Sequence, residues 1–541
     1  MNRREFLSGL AASAYLSSCK QTGVDNKLPA GAMLGPTFER GHRLRGRDFP
    51  APSETRNIDI AIIGGGVGGI SAAWKLARSG VHAFRLFELE DEVGGNARAG
   101  QNAVSAYPWG AHYLPLPGPA ARAVREMLAD AKVLLGAPDV AVPRYDERYL
   151  CFAPQERLYR NGVWQEGLLP RAGVSKRDQA QYQAFFQYVA ELKQARGRDG
   201  RRAFEIPMAL SSRDAEYLAL DRLSMKAFLL QQGWDSAPLH WYVNYACRDD
   251  YGSDYAEVSA WAGLHYFASR DGRAQDAESD QVLTWPEGNA WLLRKMREGF
   301  IQQIETGALV YRIEEGRGYV DIDVLDFVQN RSVRWRAKHA IFAAPAFVLA
   351  HVLANPAAEI MAAARAIQYA PWLVANLSLR GLPAERSGTA LAWDNVLYDS
   401  PALGYVVATH QNLRTYTGPT VLTYYWALSN QAPKAARERL WNTPWGGWAE
   451  QILRDLERPH PDIRQQVERL DIFRWAHAMA QPQPGILSSA ARRRLDHLSA
   501  RLHFAHADAS GFSIFEEANY RGVLAAERVL RALGQRFPSS L

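Results

Sequence analysis

The chain has 541 residues, 47% of them hydrophobic, enough to bury a large core and to divide into two structural domains. Its 63 Lys and Arg against 57 Asp and Glu give a formal charge of +6, and residues 1–56 hold nine of the former and five of the latter. The body is therefore close to neutral, which argues against a nucleic-acid surface, and beyond the leader no run approaches the ~20 apolar residues of a membrane span.

Asn2-Arg3-Arg4-Glu5-Phe6-Leu7 opens the chain, and a weakly apolar run continues to Leu16. This order resembles a twin-arginine (Tat) export signal. Leu16-Ser17-Ser18-Cys19 resembles a lipobox, whose cysteine is acylated after cleavage; a plain cleaved signal is the alternative. The resemblance implies the Tat export machinery as a partner, a periplasmic or exported protein, and membrane anchoring if Cys19 is acylated. Residues 1–19 are thus the expected signal. Residues 20–56, rich in Gly, Pro and Arg without periodicity, are expected to be a linker. Cys151 and Cys247 could pair, although two buried free thiols are the preferred expectation. No CxxC or His/Cys cluster suggests a metal.

Asp59 to Ile63 then reads as a buried strand, and Gly64-x-Gly66-x-x-Gly69 follows at once. The first glycine allows a tight turn, the second close approach of a diphosphate, the third close packing of helix on strand. Gly68 lies in the same turn. The following helix offers free N–H groups and a positive dipole end. Val81 to Phe87 reads as a second strand ending in Glu88, nineteen positions past Gly69, where a carboxylate can accept from ribose hydroxyls. To this point NAD and FAD are both open.

Glu92-Val93-Gly94-Gly95-Asn96-Ala97-Arg98 resembles the second glycine motif of the flavin amine oxidase and phytoene desaturase superfamily of FAD enzymes. The superfamily often carries Arg directly after the Gly-Gly pair; here Asn96 stands there, and Arg98 is expected to take over the diphosphate charge. The resemblance implies FAD and assigns further residues. Gly110 and Ala111 of Pro108-Trp109-Gly110-Ala111-His112-Tyr113 would lie along the flavin ring, with His112 at its edge, either as a structural or as a catalytic histidine. Pro119 to Leu135 reads as a helix, as do Arg177 to Arg196 and Ser224 to Gln232, and Trp241 to Gly252 is aromatic-rich. Val310, on a strand from Ala308, falls where the superfamily's backbone holds adenine. Ala340 to Pro345 resembles its strand beneath the nucleotide. Val374 to Leu379, Gly404 to Ala408 and Val421 to Trp426 alternate like sheet strands. Phe473 to Ala478 resembles the segment that leads back to the flavin. Asp508 stands two positions after the His that replaces the superfamily's Gly and is assigned to the ribityl chain or a neighbouring amide. Phe515 and Glu516 open the last helix, whose dipole favours negative charge on the flavin.

The implied fold is α/β with two domains. A Rossmann-like FAD-binding domain with a parallel sheet is expected from residues 57–115, 281–345 and 490–541. An inserted substrate domain of mixed sheet and helices is expected from 116–280 and 346–489. The implied enzyme is a non-covalent FAD oxidoreductase that takes a hydride from a C–N or C–C bond of a small molecule. Its candidate catalytic residues are His112, Trp475 and His477. The family's paired aromatic positions fall near Ala478 and Ile514, and no Lys matches its water-holding lysine. A lipid or polyene desaturase or isomerase is the alternative; so is a flavin-bearing partner protein without turnover.

Overall fold

The structure is a computed structural model describing residues 28–46, 48–278, 280–413 and 417–541. The twin-arginine leader and Cys19 lie outside the described residues. The apolar run at Ile60 forms the core of strand Thr55–Ile63, paired in parallel with Phe84–Phe87 on one side and Arg331–Phe342 on the other. Ile60 and Ile62 pack into one hydrophobic cluster, Ala61 and Ile63 into another. That alternation belongs to a strand covered on both faces, which is why the sequence there is uniformly apolar. Leu502–Phe504 joins Arg331–Phe342 in parallel, Ile304–Glu305 flanks Phe84–Phe87, and the antiparallel arms Ala308–Glu315 and Val320–Asp326 complete a seven-stranded sheet. Helices Val67–Arg78, Arg122–Asp130, Ala290–Arg297 and Phe515–Ala532 contribute to the cluster on one face. Helices Leu349–Val352 and Ala358–Ala366 contribute to the other.

The C-terminal tail ties this layer together. Lys75, wholly buried on the first helix, donates to the Pro538 carbonyl (2.7 Å) and the Ser540 hydroxyl (2.7 Å), with Glu527 at 3.4 Å. A buried ammonium is tolerated because it is paired and hydrogen-bonded.

A second, eight-stranded sheet runs in the order Met33–Leu34, Val467–Ala480, Tyr369–Leu379, Thr420–Ala427, Gly404–Val407, Asp394–Leu397, Glu156–Arg160 and Val163–Glu166. The three strands expected at 374–379, 404–408 and 421–426 are among them. Every residue of Thr420–Ala427 is buried. Helix Trp445–Leu456 packs through Trp448 and Ile452 into the cluster that holds Leu373, Tyr424 and Leu470. Helices Lys176–Gln194, Met225–Gln231, Ala237–Tyr251 and Ala260–Ala268 form a separate helical cluster. Cys151 and Cys247 are both buried and free, as preferred on sequence grounds.

Residues 28–46 differ from the expected linker. Met33–Leu34 adds a parallel edge strand beside Ile472 and Phe473, and Phe38–Gly46 is a helix. Thr37 donates to Glu90 through its amide (2.8 Å) and hydroxyl (3.0 Å), and Phe38 meets Trp441 edge-on at 4.6 Å. The sequence shows no periodicity there because the contacts are made by single residues on the body, not by a repeating apolar face. Gly31 is the tightest point. A Cβ on it would overlap the Leu470 carbonyl oxygen and stand 2.6 Å from the Trp445 ring. Gly31→Ala is expected to cost ~1–3 kcal/mol of stability, read as a lowered Tm with FAD content unchanged.

Candidate active site

The glycine turn and the second glycine motif pack face to face. Gly94 N donates to Gly65 O (2.9 Å), and the Cβ positions of Gly66 and Gly95 look at each other's backbone at 3.9 and 3.1 Å. Gly64, at φ 101°, makes the turn. Cβ atoms on Gly68 and Gly69 would overlap the carbonyl oxygens of Ala505 and Gly64. Among the described residues no side chain caps helix Val67–Arg78, which leaves its first N–H groups free for a ligand at the glycine turn. Glu88 sits at the head of the turn and accepts from Gly65 N (2.7 Å) and Glu90 N (2.9 Å). Burial raises its carboxyl above the usual range. Ala308 N donates to Glu88 O at 2.8 Å, which brings the strand carrying Val310 alongside. A slot floored by glycine backbone, with uncapped amides at one end and a carboxylate at the other, fits a dinucleotide diphosphate and its ribose.

Asn96 gathers the next group. Its carbonyl oxygen accepts from Ala111 N at 2.9 Å and lies where a Cβ on Gly110 would be; its side-chain amide donates to Ala478 O. Trp475 Nε1 donates to Trp109 O at 2.6 Å, and Tyr425 Oη to Gly110 O at 3.0 Å. The 109–111 turn is thus fixed from three sides. Helix Phe515–Ala532 starts without a side-chain cap, and Gly522 lets it approach Gly68. Glu516 near its start is buried and raised to about 7 by that burial, partly offset by Arg270.

Two residues expected near the cofactor also have strong partners within the chain. Arg98 faces Glu90 and Glu92 (3.3 Å each). Asp508 is wholly buried and accepts from Ala346 N (2.7 Å) and Tyr369 Oη (2.5 Å), with His506 Nδ1 at 3.0 Å. Burial raises its carboxyl, but His506 and the hydrogen bonds outweigh this and hold it below the usual range. Through Oδ2 it clamps the end of the parallel strand to the second sheet, while Oδ1 faces His506. Trp475, 8% exposed with its N–H held by backbone, supports the turn. His477 stays exposed beside Phe347 (4.9 Å). Enclosure of the imidazole by its neighbours, then the charges of Arg437, Arg45 and His42, push it down to about 4.

His112 stacks on Tyr425 (4.3 Å between centroids) and lies 5.6 Å from Trp393. Burial pushes its imidazole down to about 3, so it is neutral at physiological pH. Beyond it stands a wall of carboxylates that the sequence reading missed. Tyr113 Oη donates to Asp249 at 3.1 Å. Asp394 and Glu156 are direct register partners on neighbouring parallel strands, so their side chains share one face. Like charges opposite each other on a sheet are destabilising. Burial first, then the neighbouring acids, raises Asp249 to about 6, Glu156 to about 7 and Asp394 well above its ordinary value. All three keep some accessible surface. Arg270 is the nearby cation, and it is committed to Asp250 and to the Tyr266 ring (4.0 Å). Among the described residues, no group of His, Cys, Asp or Glu could hold a metal ion. The available signal was Asp249 at i+4 from Tyr245 and i+8 from Trp241, one face of a helix, in a stretch read only for its aromatics.

A family model described as flavin containing amine oxidoreductase matches residues 67–530. No curated protein matches the chain by sequence. Among solved structures, wild-type putrescine oxidase bound to putrescine is similar at 13% identity and a TM-score of 0.63, covering 88% of this chain and 100% of that one. Cyclohexylamine oxidase from Brevibacterium oxydans IH-35A is similar at 15% identity and 0.63, with the same coverage. A CLA-producing fatty acid isomerase from P. acnes is similar at 16% identity and 0.60, covering 87% of this chain and 98% of that one.

Proposed function

The chain belongs to the flavin-containing amine oxidoreductase family, and from that premise we propose that it oxidises a C–N bond of a small cationic amine. It is an FAD-dependent oxidoreductase. The observation that carries the amine reading is the half-buried Glu156–Asp394 pair with Asp249 beside it. Three carboxylates facing one another, without a free cation among the described residues, are held at a cost, and a functional site is where such a cost persists. A bound ammonium would relieve it.

FAD would be held by the Gly64 to Gly69 turn, Gly94, Gly95 and Glu88, with Val310 by its adenine and Asn96, Gly110, Ala111, His112, Phe515 and Glu516 around its ring. When bound, it supplies the two-electron acceptor for the hydride. The chain does the remainder. Asp249, Glu156 and Asp394 attract and orient the cation. Trp393, Tyr425 and neutral His112 offer ring faces to it. Asp249, with Tyr113 donating to it and its carboxyl near 6, can take the proton an ammonium must lose before its C–N bond is oxidised.

Anaerobic addition of amines and diamines to the FAD-loaded protein is the test. Bleaching of the flavin band by an amine, but not by a lipid extract, is expected. Bleaching by lipid alone would replace the amine reading with hydride removal from a C–C bond. No bleaching by either would leave a flavin-bearing partner protein.

Export by the Tat route suits a flavoprotein that loads FAD in the cytoplasm and crosses folded. Replacing Arg3 and Arg4 by Lys is expected to hold the FAD-protein in the cytoplasmic fraction. Unchanged periplasmic recovery would contradict that route. Anchoring through Cys19 would show as detergent-dependent release that Cys19→Ala abolishes.

A further inference from the structure

A second cavity, of about 510 Å³, opens away from the flavin seat, against the face of the last helix that carries Tyr520, Arg521, Leu524 and Arg528. Gly522, on another face of that helix, packs on Gly68, so the helix itself separates this cavity from the glycine slot. Six arginines line it (Arg201, Arg213, Arg492, Arg493, Arg521 and Arg528) against two acids, Asp221 and Asp496. The acids do not balance them. Asp496 pairs with Arg521. Asp221 has one oxygen held by the Ser488 amide (2.8 Å) and hydroxyl (2.7 Å), and its other oxygen is buried without a partner. Arg492 is 6% exposed and donates only to the carbonyl oxygens of Leu487 and Ala509. Burial, with Arg521 beside it, pushes its guanidinium down to about 10. Arg201 and Arg493 reach only carbonyls, those of Ala209 (3.3 Å) and Ser488.

The rest of the lining is apolar: Met208, Leu210, Leu218 and Leu524 border the cavity, and Trp261, 3% exposed, adds its ring. The Trp261 indole N–H is buried and has no acceptor. Among the described residues it is therefore an unsatisfied buried donor, which is costly, on a side chain that lines a cavity large enough for a small ligand. Surplus guanidinium groups that present fork-like donors suit a carboxylate or phosphate, and the leucine side suits an alkyl chain.

We propose that this cavity binds an amphiphilic anion, a carboxylate or phosphate head on an alkyl tail. The test uses the FAD-loaded protein and does not depend on turnover. Calorimetric titration with decanoate and decyl phosphate reads the soluble form of such a ligand, and co-sedimentation with phosphatidylglycerol or phosphatidylcholine vesicles reads the lipid form. Saturable binding of a decyl anion, or selective binding to phosphatidylglycerol vesicles, is expected, and the responding arm identifies the source. Both Arg213 and Arg493 are exposed and lie outside the flavin site. Arg213→Glu with Arg493→Glu is expected to weaken binding roughly tenfold or more, while the Lys variants retain most of it. Equal affinity for inorganic phosphate, displacement of the decyl anion by an oxidised amine, insensitivity to the charge reversals, or no binding in any arm would each overturn the proposal.

Discussion

Gly66→Ala is expected to give a folded protein that no longer retains FAD. Gly66 sits at φ −74°, a conformation any residue adopts, and a Cβ there meets only the Gly95 Cα, at 3.9 Å. The apoprotein should therefore melt close to the wild-type apoprotein. The added methyl, however, stands in the gap between the two glycine motifs, where a diphosphate must approach the backbone. Losing that approach is expected to weaken FAD by at least ~100-fold, or about 2.7 kcal/mol. Gly69→Ala serves as the contrast. Its Cβ would overlap the Gly64 carbonyl oxygen, so that variant should fail in folding rather than in loading. Purified Gly66→Ala that is as yellow as wild type would place the diphosphate elsewhere.

Asp249→Asn should leave FAD in place and lower kcat/KM for an amine by roughly 10²–10³-fold, or about 3–4 kcal/mol, the size expected when a buried charge pair with substrate is lost. Glu156→Gln should act in the same direction more weakly, since Asp394 remains opposite. Stability should move the other way. A carboxyl whose folded pKa lies above its unfolded value costs nothing below the unfolded value, near ~4, and destabilises as it ionises toward the folded value. For Asp249 that value is about 6 and for Glu156 about 7. Wild type without substrate should thus lose stability between about pH 4 and pH 7, and each variant should lose less, by on the order of 3 kcal/mol per group. Thermal melts of substrate-free wild type and variants across that range check this. A loss of kcat/KM with equal pH-dependence of Tm would mean that these acids are not strained as described.

The first glycine turn and Glu88 were legible because strand, turn, helix and acid are contiguous and each residue type has a steric reason to stand where it does. The second glycine motif and the 110–111 turn were legible by resemblance, and Asn96 shows why they belong together: its carbonyl and amide bond both the turn and Ala478. What the sequence did not show for Arg98 and Asp508 is their partners in the chain: Glu90, Glu92, Tyr369 and Ala346, up to 162 positions away. Of the acid wall only the helical spacing of Asp249 was legible. Glu156, Asp249 and Asp394 come from two strands and a helix, and only the parallel register of Asp394 on Glu156 makes them one feature. Residues 28–46 were misread because the face they cover is built by distant strands and helices.

The ratio of amine-dependent flavin reduction in wild type and Asp249→Asn, followed anaerobically across pH, tests the amine site most directly. Protonation of the amine itself cancels in that ratio. The ratio is predicted to widen as pH rises through about 6, where Asp249 ionises in the wild type alone. A ratio that stays near one at every pH would contradict the assignment of a cationic substrate to this carboxylate wall.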